Sequence, residues 1–318
     1  WALSRLMSYR IPLPTDGQRS LDIVEPNSTA VQRSLRRNGL AAYEPPTVAT
    51  LLALFEDQPD GFGFFDVGAN MGLYALLCAS LFEPEVVDAF EPTPSTSQVA
   101  RTIVKKNGLD VTVAEIALSD SNGTVTLHLS DKSDASNSLV EGFKTSSAGI
   151  DVERTRLDDY VQRTGHRPQV MKIDVETHEP EVLAGADETI RRERPFIVIE
   201  VLNRHGRDHG LEITEAMAPY AYSYYELSDP ADWHPRSEVT GALGTPHHDW
   251  LLAPAPLDDQ FAARCEVWRD RLARCGPERN SRVPVRRSVM AAARRGGVRE
   301  VVAAGGRYIE VIRRGKPG

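Results

Sequence analysis

Three short stretches carry the side chains that could do chemistry. In "FFDVGANMGLYALL" an apolar run ends in Asp66 and breaks into Gly68, Asn70 and Gly72 before a helical pattern begins. In "VVDAFEP" a second run delivers Glu91, 25 residues after Asp66. In "VMKIDVETHEP" Lys172 sits inside the run, and Asp174, Glu176 and His178 follow it. A carboxylate is an acceptor with two oxygens, so Glu91 at a strand end can take both hydroxyls of a ribose. Glycines reach turn conformations closed to other residues and let a backbone approach a ligand. Together these features point to a nucleoside. The spacing Asp66-x-Gly68-x-Asn70-x-Gly72 is not the GxGxxG that seats a pyrophosphate on a helix N-terminus. It favours S-adenosylmethionine, whose amino-acid portion needs acceptors and backbone groups rather than a phosphate cradle.

Such residues converge only if the chain brings strand ends together. From residue 62 apolar runs alternate with amphipathic ones: strand "FGFFDV", helix "GLYALLCASLF", strand "EVVDAFE", helix "PSTSQVARTIVKKNG" and strand "DVTVAEIAL". Residues 119–156 read as a β-rich excursion. The alternation then resumes with "LDDYVQRTG", "QVMKIDV", "EPEVLAGADETIRRE" and "PFIVIEV". This is the pattern of an α/β fold, a mostly parallel sheet covered by helices on both faces, with ligands at the C-terminal strand ends. "AYSYYELS" and "HDWLLAP" read as a closing strand pair, and "DDQFAARCEVWRDRLARCG" as a helix. Upstream, residues 1–43 suggest a hairpin at Asp16-Gly17, with a helix from "EPPTVATLLALFED". The expected division is an N-terminal segment (1–43), a main domain (44–275) and a basic C-terminal extension (276–318) containing a helix "VRRSVMAAARRGG" and a strand "RYIEVIRR".

Composition narrows the class. No window of the 318 residues approaches the run of about 18 apolar residues that a membrane span needs. Cys78, Cys265 and Cys275 show no zinc-ligand spacing and suit a reducing compartment, so a cytoplasmic location is expected. The net charge of −8 is uneven: residues 264–318 hold 15 Lys+Arg and 5 Asp+Glu, a net of +10, which leaves −18 on the rest. An acidic body has no charge reason to bind nucleic acid, and the basic tail has little aromatic interleaving for base stacking.

The blocks "FFDVGANMGLYALL", "DAFEPTPSTSQVARTIVKKNGL", "VAEIALSDSNGTVTLHL", "NSL" and "VMKIDVETHEPEVLAGA…RPFIVIEV" resemble, in order, the FkbM family of S-adenosylmethionine-dependent methyltransferases. The resemblance covers residues 40–202. It implies a Rossmann-like class I methyltransferase fold with a seven-stranded sheet, and O-methylation of a hydroxyl on a sugar, polyketide or other secondary metabolite. Asp66, Gly68, Asn70 and Gly72 then form the cofactor loop, Glu91 holds the ribose, Ile116 and Ala117 flank the adenine, and Asp174 lies near the methionine end. Asn137 and Ser138, in the "NSL" block, become acceptor-side candidates. Thr177 stands where the family commonly has Gly, and Thr resists positive φ.

Methyl transfer is an in-line displacement, and a hydroxyl acceptor is helped by a general base. His178 is the first candidate and Glu176 the second, either as base or as the group orienting His178. A divalent cation such as Mg²⁺ on Asp174 and Glu176 is a third route. Each residue also has a plainer reading: Asp66 as a helix cap, Lys172 as partner of a buried carboxylate, His178 as a helix-packing residue, His247 and His248 as strand-edge residues. The rival functions are an NAD(P)-dependent oxidoreductase, a non-catalytic nucleoside-binding protein, and an RNA methyltransferase using the basic tail. Small hydroxylated acceptors are the expected partners, and the oligomeric state is left open.

Overall fold

The computed structural model describes residues 8–25, 27–129, 148–203, 206–228, 232–241, 248–277, 299–303 and 306–310. The chain divides into two compact units, Trp1–Glu278 and Arg279–Gly318. The first opens with an antiparallel hairpin of β1 (Ser8–Pro12) and β2 (Ser20–Val24), followed by α1 (Ala30–Asn38) and α2 (Pro45–Asp57). Then come β3 (Gly63–Val67), α3 (Leu73–Leu81), β4 (Val86–Phe90), α4 (Pro94–Asn107) and β5 (Thr112–Ala114). Next are β6 (Ala117–Leu118), β7 (Gly123–Leu129), β8 (Ala148–Thr155) and α5 (Leu157–Thr164). The remainder is β9 (Val170–Ile173), α6 (Glu179–Ala184), α7 (Asp187–Glu193), β10 (Phe196–Glu200), α8 (His209–Met217), β11 (Ser223–Glu226), β12 (Asp249–Ala253) and α9 (Asp259–Leu272). In the second unit β13 (Arg299–Ala303) and β14 (Gly306–Glu310) pair antiparallel. The basic helix expected upstream of them lies outside the described residues.

The central sheet has seven strands in the order β11-β12-β10-β9-β3-β4-β5. From β5 to β10 every pairing is parallel, while β12 runs antiparallel to both its neighbours. This is the Rossmann-like class I arrangement expected from the sequence. Parallel strands covered on both sides read as unbroken apolar runs, and all five residues of β3 are buried. Period-two alternation sorts their side chains. Phe64, Val198 and Leu251 enter one core with residues of α2, α3 and α9, while Phe65, Ile197 and Ile199 enter the other with residues of α5 to α8. Aromatic edges pin both layers: Phe55 meets Phe64 at 4.7 Å between centroids, and Tyr160 meets Phe90 at 4.8 Å.

Two elements differ from the sequence reading, each for a visible reason. "DVTVAEIAL" is two strands, because the chain leaves β4 after Ala114 and β6 pairs instead with β8. The helix expected over "EPEVLAGADETIRRE" is two helices broken at Gly185 and Ala186. Gly185 lies so close to the Ser119 carbonyl that an added Cβ would fall 2.0 Å from it. The Asp158 carboxylate then restarts the helix, accepting from the backbone N–H of Glu188 at 3.2 Å and of Thr189 at 2.9 Å. Asp158 also accepts from the Thr189 hydroxyl and from Arg156, so one buried side chain ties α5 to α7. Asp158→Ala is expected to lower stability by about 2 kcal/mol, read as a lower urea midpoint with an unchanged slope.

Candidate functional site

After β3 the chain builds outward through β4 and β5, and it returns on the other side through β9 and β10. The winding direction therefore reverses between β3 and β9, and a crevice opens beyond their C-terminal ends. The loop after β3 is bound to both neighbours. Gly68 and Ala69 donate to the Phe90 carbonyl, each at 3.0 Å, and Asp174 N–H donates to the Val67 carbonyl at 2.9 Å. Gly68 has φ +80, and a Cβ there would lie 1.8 Å from the Asp174 carbonyl oxygen. Its glycine is demanded by contact between two strand ends. Gly72, also at φ +80, instead supplies the left-handed turn that starts α3.

Asp66, Asn70 and Glu91 converge. Glu91 Oε2 accepts from Asn70 N–H at 3.0 Å and Oε1 from Thr93 N–H at 2.8 Å, which fixes the carboxylate beside the β3 loop. Asn70 holds φ +50, and its own Oδ1 accepts from Met71 N–H at 2.9 Å. Asp66 is buried, and Oδ2 accepts from Ala75 N–H in the first turn of α3 at 3.1 Å, so it does cap that helix. Burial pushes its carboxyl up to about 7, against the opposing pull of that hydrogen bond and of Lys172. Ile116 and Ala117 form a buried apolar step between β5 and β6.

The loop after β9 is strained and braced. Glu176 and Thr177 take φ +56 and +76, so Thr177 holds a left-handed turn that would suit a glycine. The Glu179 carboxylate closes the loop, its Oε1 accepting from Val175 N–H at 3.0 Å and Thr177 N–H at 3.3 Å. Burial pushes the Glu179 carboxyl up to about 7. The Thr177 hydroxyl is buried with no hydrogen-bond partner among the described residues. His178 Nε2 lies 3.0 Å from Ser119 Oγ, and Nδ1 lies 3.6 Å from a Glu181 oxygen. Burial lowers the His178 pKa although Glu181 and Asp120 pull it upward, which favours the neutral imidazole at pH 7.

Beneath this edge lies a buried charge pair. Lys172 Nζ is 3.1 Å from Asp249 Oδ1 and 3.6 Å from Asp174 Oδ2, and the Thr47 hydroxyl donates to Asp249 Oδ2 at 2.6 Å. Lys172 is thus the partner of a buried carboxylate, as its plainer reading held. Glu200, at the end of β10, pairs in register with Asp249. Its carboxyl is pushed well up by burial, with Asp174 and Asp249 adding to the effect. Tyr74 donates to Glu44 at the start of α2.

The sequence reading passed over Asp249, Glu200 and Ser119, and gave Glu179 no role of its own. Two of these had a signal: Glu200 ends a strand as Asp66 and Glu91 do, and Asp249 is an acid opening the apolar run "DWLLA". Asn137, Ser138 and His247 lie outside the described residues, while His248 is partly buried with Nε2 3.8 Å from Glu226. Among the described residues no group of three or more His, Cys, Asp or Glu side chains is arranged to hold a metal ion. No helix there is long and apolar enough to cross a membrane.

Two substitutions separate the roles of the two loops. Gly68→Ala should destabilise the fold by about 3 kcal/mol or more, because its Cβ would strike backbone rather than a movable side chain. Thr177→Gly should stabilise it by about 1 kcal/mol in thermal unfolding, by relieving a β-branched residue at positive φ.

The chain is similar in sequence to known proteins. The model of the methyltransferase FkbM domain matches residues 66–224, half of the chain. A hexuronic acid methyltransferase of Haloferax volcanii, AglP, is 29% identical over 150 residues, covering 46% of this chain and 59% of that protein. Methyltransferase 1 of Beauveria bassiana is 27% identical over 170 residues, covering 46% and 68%. A solved FkbM methyltransferase from Methylobacillus flagellatus aligns with TM-score 0.41 and 16% identity over 61% of this chain and 44% of that one. The chain therefore spans less than two thirds of the length of the first of these relatives. The blocks from Asp66 to β10 lie within the matched region, and the chain belongs to the FkbM methyltransferase family.

Proposed function

We propose that the protein is an S-adenosylmethionine-dependent O-methyltransferase whose acceptor is a hydroxyl of a sugar, polyketide or other secondary metabolite. The observation that carries this reading is the Glu91 carboxylate, tied to Asn70 N–H at 3.0 Å beside the switch point of the sheet. A carboxylate fixed by backbone N–H groups at the second strand end suits a vicinal diol. The loop before it offers glycine backbone where a dinucleotide would need a phosphate cradle. Ile116 and Ala117 supply an apolar wall for a base, and Asp174, partly exposed at the end of β9, suits the cationic methionine end. The residues present fit the cofactor.

Bound there, S-adenosylmethionine supplies an electrophilic methyl group on a sulfonium. The chain's part is to align an acceptor oxygen behind that carbon, exclude water and take up the hydroxyl proton. His178 is the candidate base: its imidazole is favoured neutral, Ser119 Oγ lies 3.0 Å from Nε2, and Nδ1, 3.6 Å from a Glu181 oxygen, makes no hydrogen bond to it. Glu176, in the same loop, is the second candidate. The named activity of a hexuronic acid methyltransferase among the relatives supports a sugar-type acceptor. Isothermal titration should show S-adenosylhomocysteine binding to the wild type and NAD⁺ failing to bind. Glu91→Ala should weaken binding by at least about tenfold, through loss of the diol acceptor. Binding of the dinucleotide in place of the thioether would reject the reading.

A further inference from the structure

Glu44, the residue before α2, holds a backbone conformation that its neighbours disfavour. Its φ of +43 and ψ of +55 lie in the left-handed region. A β-carbon resists that region, and a residue preceding a proline, as Glu44 precedes Pro45, is pushed toward extended backbone. Its side chain gives α2 no capping hydrogen bond. The turn is held from outside instead. Three residues upstream, Ala41 N–H donates to the Cys275 carbonyl, just past the end of α9, at 3.0 Å. Three residues downstream, the Thr47 hydroxyl donates to Asp249 Oδ2 at 2.6 Å. Backbone strain that the surroundings enforce, with no helix cap to account for it, gathers at ligand sites.

The carboxylate that this turn presents stands at the same end of the sheet as the crevice. Glu44 Oε2 accepts from the hydroxyl of Tyr74, two residues past Gly72 in the first turn of α3. From Thr47 the contacts run through Asp249 to Lys172 Nζ, 3.1 Å away, and on to Asp174 at 3.6 Å. Glu44 is therefore bounded by the helix that follows the β3 loop and by the group at the ends of β9 and β12. It also shares a neighbour with Asp174: burial pushes up the Tyr43 hydroxyl, and Glu44 and then Asp174 push it further. Of the acids gathered here, Asp66, Glu179, Glu200 and Asp249 are buried, whereas Glu44, Asp174 and Glu176 are partly exposed. Glu176 belongs to the loop of the candidate base, which leaves Glu44 and Asp174 for the cofactor.

We infer that Glu44 is a cofactor-binding residue, and that with Asp174 it forms a pair of carboxylates taking the α-ammonium at the methionine end of S-adenosylmethionine. This rests on the cofactor reading, in which Asp174 stands at that end. An ammonium carries three N–H donors, and in a site that excludes water each of them needs an acceptor. Asp174 already faces Lys172, so a second carboxylate is needed to meet that demand. Glu44 supplies it from a separate element, the N-terminal segment, and the bond from Tyr74 fixes the group at the start of α3 before a ligand arrives. The strained turn then has a purpose: an extended residue at this position would aim its side chain elsewhere.

The test compares two ligands by isothermal titration: S-adenosylhomocysteine, which carries the amino-acid end, and methylthioadenosine, which lacks it. Binding of S-adenosylhomocysteine to the wild type is the control, and its absence rejects the cofactor reading rather than this one. Glu44→Gln keeps the length of the side chain and removes its charge. It is expected to weaken S-adenosylhomocysteine about tenfold and methylthioadenosine by less than about twofold. A loss for S-adenosylhomocysteine no greater than that for methylthioadenosine would overturn the inference, since a structural role affects both ligands alike. Glu44→Asn supplies an independent readout, because asparagine tolerates the left-handed turn. It should unfold at the same temperature as the wild type or a higher one, and still bind S-adenosylhomocysteine less tightly. Unfolding at a lower temperature, or undiminished binding, would overturn the inference.

Discussion

The arrangement depends on one contact, the approach of the Gly68 backbone to the carbonyl of Asp174. An added Cβ at Gly68 would lie 1.8 Å from that oxygen, so no side chain can stand between the ends of β3 and β9. These are the strands between which the sheet reverses its winding, and the loops after them carry most of the candidate site. Because they touch, the loop after β3 and the loop that carries Glu176 and His178 are positioned by the same backbone. The hydrogen bonds from Gly68 and Ala69 to Phe90 extend the fixation to β4 and Glu91.

Around that contact the chain places charges that are unfavourable in isolation. Asp66 and Glu179 are buried acids whose carboxyls burial pushes up to about 7, and Lys172 is a buried base. Each has a specific partner: Asp66 the first turn of α3, one oxygen of Glu179 two N–H groups of its own loop, Lys172 two carboxylates. The strained pair Glu176 and Thr177 is held by the Glu179 brace. Buried polar groups with specific partners and backbone strain gathered at one strand edge are what a preorganised site requires.

Much of this was legible in the sequence. The apolar runs and the intervening helical periods give the succession of strands and helices and a mostly parallel sheet, and Asp66, Asn70 and Glu91 could be placed together because they sit at strand ends. What could not be read were contacts made across the fold. Gly68 is a turn glycine in the sequence, and only the neighbouring strand shows why it tolerates nothing larger. The break at Gly185 depends on Ser119 and Asp158, which come from other elements. Asp249 and Thr47, 202 positions apart, meet only through the pairing of β12 and the packing of α2. His178 looked like a group aimed at a substrate, and its link to Ser119 required the excursion after β5 to fold back.

The central claim is that the crevice between β3 and β9 holds an adenosyl cofactor. A crystal structure with S-adenosylhomocysteine tests it most directly. The account predicts ribose hydroxyls on Glu91, adenine against Ile116 and Ala117, and the amino-acid end beside Gly68 and Asp174. Density for the ligand at another edge of the sheet, or a crevice that excludes it while the protein remains folded, would contradict the account.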